Sequence, residues 1–325
     1  MFAAGFGIVA RIVNFRPVIL FSVLVALAGC QKSEQTVALA PEAALETGWD
    51  NYRLSEFDRA AIFFEQAVVG SVTNSELQLQ ARYALATTWN LRRPGEDRAK
   101  AEAMFRDILA ASPSRDLTAW TSLALARMRH LVPVDQEPDM NAVRAAYQEI
   151  IANFSGHLAA KEAFIYKMST FIATLEPKQT GYAIACLSRY VGQPGQKEFL
   201  QPAWSLMAVG YTTLKMPQQR LIAEIRALQC TEIDPSNPFN EFAWAYWNIA
   251  TIAEFDVGDF SLARFYYLRL LREYPNDIKV FGAKEALARM DALKAKIRSE
   301  FPPSPKSEIR NPKRIRKSKS GGARA

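Results

Sequence analysis

Three cysteines and two histidines are the residues of this sequence best suited to covalent or metal chemistry. The histidines, His130 and His157, fall on different predicted helices, and neither has a cysteine or carboxylate at a spacing typical of metal sites. The nucleophile-elbow motif, the phosphate-binding loop and the dinucleotide fingerprint are all absent from the sequence. The sequence therefore predicts a protein that is not an enzyme and that uses neither a metal ion nor a cofactor.

Cys30 differs from the other two cysteines because it ends an apolar run that follows two arginines. The residues directly before it are Leu27, Ala28 and Gly29. This arrangement resembles the lipobox of bacterial lipoproteins, which implies cleavage before Cys30 and a diacylglycerol joined to its thiol. Residues 17–29 number 13, fewer than the roughly 20 that a membrane-spanning helix needs. We therefore expect residues 1–29 to be a lipoprotein signal peptide, with an uncleaved anchor as the alternative.

The lipoprotein resemblance also implies a place in the cell. Residues 30–40 would form a lipidated tether, and three acyl chains of the palmitate type would anchor it almost permanently. Gln31 follows the modified cysteine, and the sorting rule of such lipoproteins then favours the outer membrane over the inner one. We expect the protein to lie in the cell envelope, attached to the outer membrane and facing the periplasm.

Residues 41–301 show helical rather than strand periodicity. A set of them shares the packing roles of a helical hairpin: a large aromatic, small residues at the helix crossing, a turn and a helix-ending proline. They are Trp247, Ala250, Gly258, Asp259, Phe260, Ala263, Tyr267, Leu270 and Pro275. The pattern resembles the 34-residue tetratricopeptide repeat (TPR), which implies an all-α fold, an α-solenoid of antiparallel helical hairpins.

Similar residues recur earlier in the chain, with less regular spacing and with insertions at 92–95 and 132–139. They are Gly48, Tyr52, Phe57, Ala60, Phe64 and Ala67; Ala101, Phe105, Ile108 and Pro113; Trp120, Leu123, Ala124, Ala146, Tyr147, Ile150 and Phe154; and Trp204, Ala208, Tyr211 and Ala227. Two further helices between 159 and 190 have no assigned register. The Tyr274-Pro275 pair at the end of the last hairpin resembles the hairpin ends of the TPR lipoproteins that act in outer-membrane β-barrel assembly. This resemblance implies an envelope protein as partner, such as a component of that machinery.

A capping helix is predicted after Asp277, ended by Pro302-Pro303. Its apolar stripe comprises Val280, Ala283, Leu287, Met290, Leu293 and Ile297. Four basic residues are expected to face away from the core: Lys284, Arg289, Lys294 and Lys296. Acidic residues such as Glu241 and Glu254 are expected to lie on solvated helix faces.

The first helix of each TPR hairpin lines a concave groove, and here it offers an apolar, aromatic surface that would bind a partner helix by apolar contact. The candidate groove residues are Trp49, Tyr52, Ser205, Val209, Asn248, Ile252 and Phe255. The basic clamp with which some TPR proteins hold a carboxylate is not evident in the sequence. The alternative is that these side chains are buried against neighbouring helices.

The formal net charge of +7 equals the excess in residues 304–325, where eight basic residues accompany one acid. This segment, within a basic tail at 302–325, is expected to be disordered. It would bind an anionic surface such as lipid or cell-wall polymer, so the alternative function is a structural tether between outer membrane and wall. An exported chain would not meet nucleic acid. Cys186 and Cys230 could form a disulfide in this compartment, or remain free as small core residues.

Overall fold

The computed structural model describes residues 39–73, 75–92, 97–111, 113–231 and 242–300. Within these ranges all regular structure is helical, which confirms the all-α prediction. Residues Leu27–Cys30, Glu241 and the segments 93–95 and 302–325, on which several predictions fall, lie outside the described residues. No helix in the described part of the chain is both long enough and apolar enough to cross a membrane.

Thirteen α-helices and one π-helical segment make up the described structure. They are α1 (Pro41–Arg53), α2 (Phe57–Gly70), α3 (Glu76–Arg92), α4 (Arg98–Ala110), α5 (Arg115–His130), α6 (Met140–Asn153), α7 (Leu158–Ile172), α8 (Pro177–Val191), α9 (Leu200–Thr213), α10 (Pro217–Gln229), α11 (Ala243–Thr251), the π segment (Ile252–Val257), α12 (Phe260–Glu273) and α13 (Lys279–Glu300). They belong to two compact units. The described residues of unit 1 are 39–216, with the gaps above, and 229–231; those of unit 2 are 217–228 and 242–300.

Local sequence explains where several helices begin and end. Ser114, Asp139 and Asp259 each cap a helix by accepting a backbone N–H bond from its first turn. Gly258 ends the π segment in the left-handed region at φ 80°, which glycine adopts without steric strain. The Gly258-Asp259 turn therefore forms as the sequence predicts. Helix α12 ends at Glu273, two residues before Pro275.

Unit 1 is a row of helical hairpins. Short connections separate successive helices from α1 to α9, so neighbours in the chain pack antiparallel. The odd-numbered helices also pack on one another in order, α1 on α3, α3 on α5, α5 on α7 and α7 on α9. In the described part of unit 1, each even-numbered helix contacts only its chain neighbours. The odd-numbered helices are thus the closely spaced row, which places them on the inside of the curve of unit 1.

A buried small or β-branched residue recurs at nearly constant intervals in the even-numbered helices. These residues are Ala60, Ala101, Val143, Ala183, Ala223 and Ala263. Successive members of this set lie 40 to 42 residues apart, against 34 in a regular TPR. Counted from the start of one odd-numbered helix to the start of the next odd-numbered helix, α1–α2 takes 35 residues and α11–α12 takes 36, close to the TPR length, whereas the hairpins between them take 39 to 43.

The residue four places after this small position fills the space between the two helices of a hairpin. It is Phe64 in α2, Phe105 in α4, Tyr147 in α6 and Tyr267 in α12, all with at most 1% exposure. These four residues hold the aromatic positions that the sequence predicts. In α8 the position is taken by buried Leu187, which supplies the register that the sequence left unassigned between 159 and 190.

Unit 2 has one core. It joins Leu221 of α10, Tyr246 and Ile249 of α11, Tyr267 and Leu270 of α12, and Ala283 and Met290 of α13. Trp247 packs edge-on against Tyr267, as predicted, with ring centroids 5.6 Å apart.

The apolar stripe of α13 is shorter than predicted. Ala283, Ala286 and Met290 are buried, but Leu293 is 40% and Ile297 is 50% exposed. The core of unit 2 therefore ends at the turn that contains Met290. Including Leu293 and Ile297 in the stripe was wrong, because the last turns of α13 extend past the helices on which its first turns pack.

A polar network at the end of α12 predicts how the stability of unit 2 depends on pH. Hydrogen bonds from Arg269, and then from Tyr246 and Arg272, lower the pKa of Glu273 to about 2. The unfolded value is about 4.3. Because the folded pKa is the lower one, the network stabilises unit 2 above about pH 4.3 and loses that effect as pH falls towards 2. We expect Glu273→Gln to lower the thermal midpoint at pH 7 and to match the wild type near pH 2, measured by circular dichroism.

The control for this experiment is Glu285→Gln, which alters an exposed carboxylate on α13. It should leave the thermal midpoint nearly unchanged at both pH values. A Glu273→Gln effect of the same size at pH 2 and pH 7 would contradict the role assigned to ionised Glu273.

Candidate functional site

The predicted groove residues of unit 1 have different environments. Trp49 and Tyr52 of α1 are half-buried, and the Trp49 ring lies edge-on against Phe64 at 5.1 Å. In α9, Ser205 accepts a hydrogen bond from Gln201 at 3.1 Å, whereas Val209 is 54% exposed. Trp49 therefore packs against a neighbouring helix, which was the alternative to its lining a groove.

In unit 2 the prediction for Ile252 was wrong, because its side chain is buried at 2% exposure in the core. Asn248 is half-buried and donates a hydrogen bond to Glu224 Oε1 at 2.8 Å. Phe255 is exposed. These three residues therefore do not share one surface.

The inside of unit 1 carries a different cluster, which we call the inner-face cluster. It comprises Tyr52 of α1, Tyr83 of α3, Arg127 of α5, and Glu162 and Tyr166 of α7. Each residue lies on an odd-numbered helix, so the row of closely spaced helices presents all five. Only Tyr52 was among the predicted groove residues.

Electrostatic interactions show that the inner-face cluster converges across several helices. Burial raises the pKa of Tyr52, and the Arg127 guanidinium opposes that shift although the two residues lie on α1 and α5. Burial also raises the pKa of Tyr166, and Tyr52 adds to that shift from α1. Helix α1 packs against neither α5 nor α7 in the described structure. The electrostatic coupling thus reaches across the odd-numbered row, between helices that do not pack on one another.

Arg127 and Glu162 are the charged pair of the cluster. The shortest distance between them, from an Arg127 guanidinium nitrogen to Glu162 Oε1, is 3.7 Å, too long for a direct hydrogen bond. The Arg127 side chain is 34% and the Glu162 side chain 16% exposed. The guanidinium also lies over the Tyr166 ring, 5.0 Å from its centroid, in a cation–π contact.

The two charges are affected differently by their surroundings. Burial raises the pKa of Glu162, and Arg127 only partly opposes it. Burial acts to lower the pKa of Arg127, but Tyr166 and Glu162 together raise it above its usual value. Burial therefore disfavours both charges, and each charge of the pair stabilises the other.

Aromatic packing forms the floor beneath the cluster. The buried Tyr147 ring of α6 stacks on Tyr166, with centroids 5.8 Å apart and planes at 11°. The Tyr147 hydroxyl hydrogen-bonds His130 Nδ1 at 3.0 Å, and burial lowers the pKa of His130. His130 thus holds the floor in place as a neutral ring.

The contacts of His157 are also structural. Its Nδ1 accepts the Ala159 N–H at 3.1 Å, which caps α7, and its Nε2 lies 2.8 Å from Asp116 Oδ1. In the part of the chain that the structure describes, no three histidine, cysteine or acidic side chains are grouped as metal ligands would be.

A buried network in unit 2 was not predicted. Glu254, in the π segment, has 6% exposure and accepts hydrogen bonds from the Tyr267 hydroxyl at 2.9 Å and from Arg289 Nε and a terminal nitrogen at 3.0 and 2.6 Å. The expectation that Glu254 is solvated was therefore wrong. Arg289 is 51% exposed, as a residue facing away from the core would be, yet its guanidinium reaches back to this buried carboxylate. Arg289 also lies over the exposed Phe255 ring at 5.2 Å. Every carboxylate oxygen has a donor, so the network is suited to holding α13 in place.

Cys186 and Cys230 are free thiols, each half-buried. Cys186 lies on α8 and Cys230 follows α10. The structure thus shows the free-thiol alternative.

Comparisons with known proteins find a similarity only among solved structures. No family model matches the sequence, and no curated protein matches it. Among solved structures, the assembly chaperone of RpL4 (Acl4, residues 1–338) is similar over 80% of this chain and 86% of its own, with 15% identity and a TM-score of 0.35. A likeness at that TM-score assigns neither a partner nor an activity to this chain.

Proposed function

We propose that this protein is a non-enzymatic scaffold that binds a segment of a partner protein on the inner face of unit 1. The observation that carries the proposal is the inner-face cluster: a concave surface that combines tyrosine rings with one incompletely paired arginine. Tyrosine and arginine are the residue types most enriched where protein partners bind tightly. The half-buried histidines are engaged in structural hydrogen bonds, which favours a binding role over acid–base chemistry.

The proposed scaffold is lipid-anchored. Residues Leu27–Cys30 support this part of the proposal through their resemblance to a lipobox. An acylated Cys30 would hold unit 1 near the outer membrane, where its inner face would meet envelope proteins. A role in outer-membrane protein assembly is the specific form of this proposal, and it rests on the sequence resemblance.

The anchor is tested by the intact mass and the membrane fractionation of the expressed protein beside a Cys30→Ser variant. We expect the wild type to have lost the segment 1–29 and gained three acyl chains, because the peptidase and acyl transferases act at this cysteine. It should sediment with membranes, and Cys30→Ser should be unprocessed and unacylated.

Cys186→Ser is the matched control, since it removes a thiol of α8 that no lipobox precedes. It should be processed and acylated like the wild type. An unmodified, full-length wild-type chain would overturn the lipid-anchor proposal but not partner binding by the inner face.

A further inference from the structure

We propose that Arg127 is the residue of the inner face that binds a carboxylate, supplied by an aspartate or glutamate side chain in the partner segment. In the unbound protein Glu162 lies beside Arg127 and is displaced when the partner's carboxylate arrives. This inference rests on the proposed function and names the chemistry of the partner at the same site.

The first argument is that the hydrogen-bonding capacity of Arg127 is unused. A guanidinium has five N–H donors. Arg144 hydrogen-bonds Thr170 at 2.9 Å and Gln179 at 3.3 Å, and Arg289 hydrogen-bonds Glu254. In contrast, Arg127 makes no side-chain hydrogen bond to any described residue, although only 34% of its side chain is exposed. A partly buried guanidinium with unused donors gains more from an incoming carboxylate than a solvated one does.

The second argument concerns Glu162, which is a poor permanent partner. Its carboxylate approaches the guanidinium to 3.7 Å without a hydrogen bond. The pair therefore leaves the guanidinium donors of Arg127 without a hydrogen-bonded carboxylate. A carboxylate on a flexible partner segment can adopt the bidentate geometry that Glu162, fixed on α7, does not reach.

The third argument is the apolar surrounding. The Tyr166 ring lies under the guanidinium, and Tyr52 of α1 and Tyr83 of α3 belong to the same cluster. Aromatic rings exclude water from the donors and provide contact area for the residues beside the partner's carboxylate. The site therefore fits an acidic residue with apolar neighbours better than a uniformly charged segment.

The experiment selects binders from a library of short random peptides, each fused through its carboxyl end to the display protein. Side chains then supply every carboxylate of the peptide. The library is panned on the protein and on Arg127→Gln. The matched control is Arg129→Gln, which alters an exposed arginine on the same helix. We expect aspartate or glutamate beside apolar residues to be enriched on the wild type and on Arg129→Gln, and this enrichment to be absent on Arg127→Gln.

A selected peptide is then measured by fluorescence anisotropy beside its amide counterpart, with Asn or Gln in place of the acidic residue. We expect a loss of about tenfold or more, which corresponds to one charge-assisted hydrogen bond. Because Glu162 competes for Arg127, Glu162→Gln should bind the acidic peptide more tightly than the wild type and should leave the affinity of the amide peptide unchanged.

The possible outcomes separate this inference from the proposed function. Peptides that lack acidic residues, yet lose binding when Tyr83 is replaced by alanine, would overturn the carboxylate role and retain the scaffold. Failure of any peptide to be enriched would overturn partner binding itself. Should Arg127→Gln fold poorly, the comparison of acidic and amide peptides on the wild type still decides the carboxylate role.

Discussion

Replacing Arg289 with methionine is expected to lower the free energy of unfolding of unit 2 by about 1–3 kcal/mol, since the Arg289 side chain is itself 51% exposed but its partner is buried. Arg289 donates two hydrogen bonds to Glu254, whose carboxylate has only 6% exposure. Removing the guanidinium leaves that negative charge buried with a single neutral donor, the Tyr267 hydroxyl. The measurement is the denaturant midpoint and slope, followed by circular dichroism.

Lys284→Met is the matched control, because Lys284 lies on the same helix and is exposed. It should change the free energy of unfolding by less than about 0.5 kcal/mol. The double variant Glu254→Gln/Arg289→Met should recover much of the lost stability, since it removes the buried charge together with its partner. If Arg289→Met were no more destabilising than Lys284→Met, Glu254 would not depend on the ion pair.

The π segment explains why the sequence did not predict this network. Asn248, Ile252 and Phe255 were predicted to line a groove because they lie on the first helix of a TPR-like hairpin. Residues Ile252–Val257 follow wider π-helical turns, which rotate the side chains after Ile252 relative to an α-helix. Glu254 lies in the core, and Phe255 points outward.

The aromatic and small residues of the hairpins could be predicted because they depend on local packing rules. Ala60 with Phe64, and Ala263 with Tyr267, follow directly from the need for close helix contact beside a space-filling ring. The repeat length varies along the chain, from 35 residues for α1–α2 to 43 for α5–α6, so a single template fits only some hairpins. Two of the longer hairpins were predicted as insertions at 92–95 and 132–139, and α7 and α8 were left without a register.

Arg127 was missed for a related reason. A single arginine between buried residues of an amphipathic helix resembles an ordinary surface position. Arg127 lies on α5, one of the odd-numbered helices that pack on one another in a row. That the rows of helices curve, and so bring Tyr52 near Arg127, depends on long-range packing that local patterns do not encode.

Replacing Phe64 with alanine is expected to lower the free energy of unfolding of unit 1 by about 3–5 kcal/mol. Phe64 is fully buried, packs edge-on against Trp49 and fills the space between α1 and α2. The ring also fits closely against Gly48, since a Cβ added there would lie 2.4 Å from Phe64 Cε1. The loss should appear as a lower denaturant midpoint with an unchanged slope.

The fit between Gly48 and Phe64 predicts a coupling that a cavity alone would not produce. Gly48→Ala should destabilise by about 1–3 kcal/mol through overpacking. Combined with Phe64→Leu, which removes Cε1 and Cζ of the three ring atoms that the new Cβ would meet, its effect should be smaller than in the wild type. Gly181→Ala is the control, because a Cβ there meets no atom within 4 Å, and it should stabilise α8 by up to about 1 kcal/mol. Strictly additive effects of Gly48→Ala and Phe64→Leu would show that the α1–α2 contact does not require glycine.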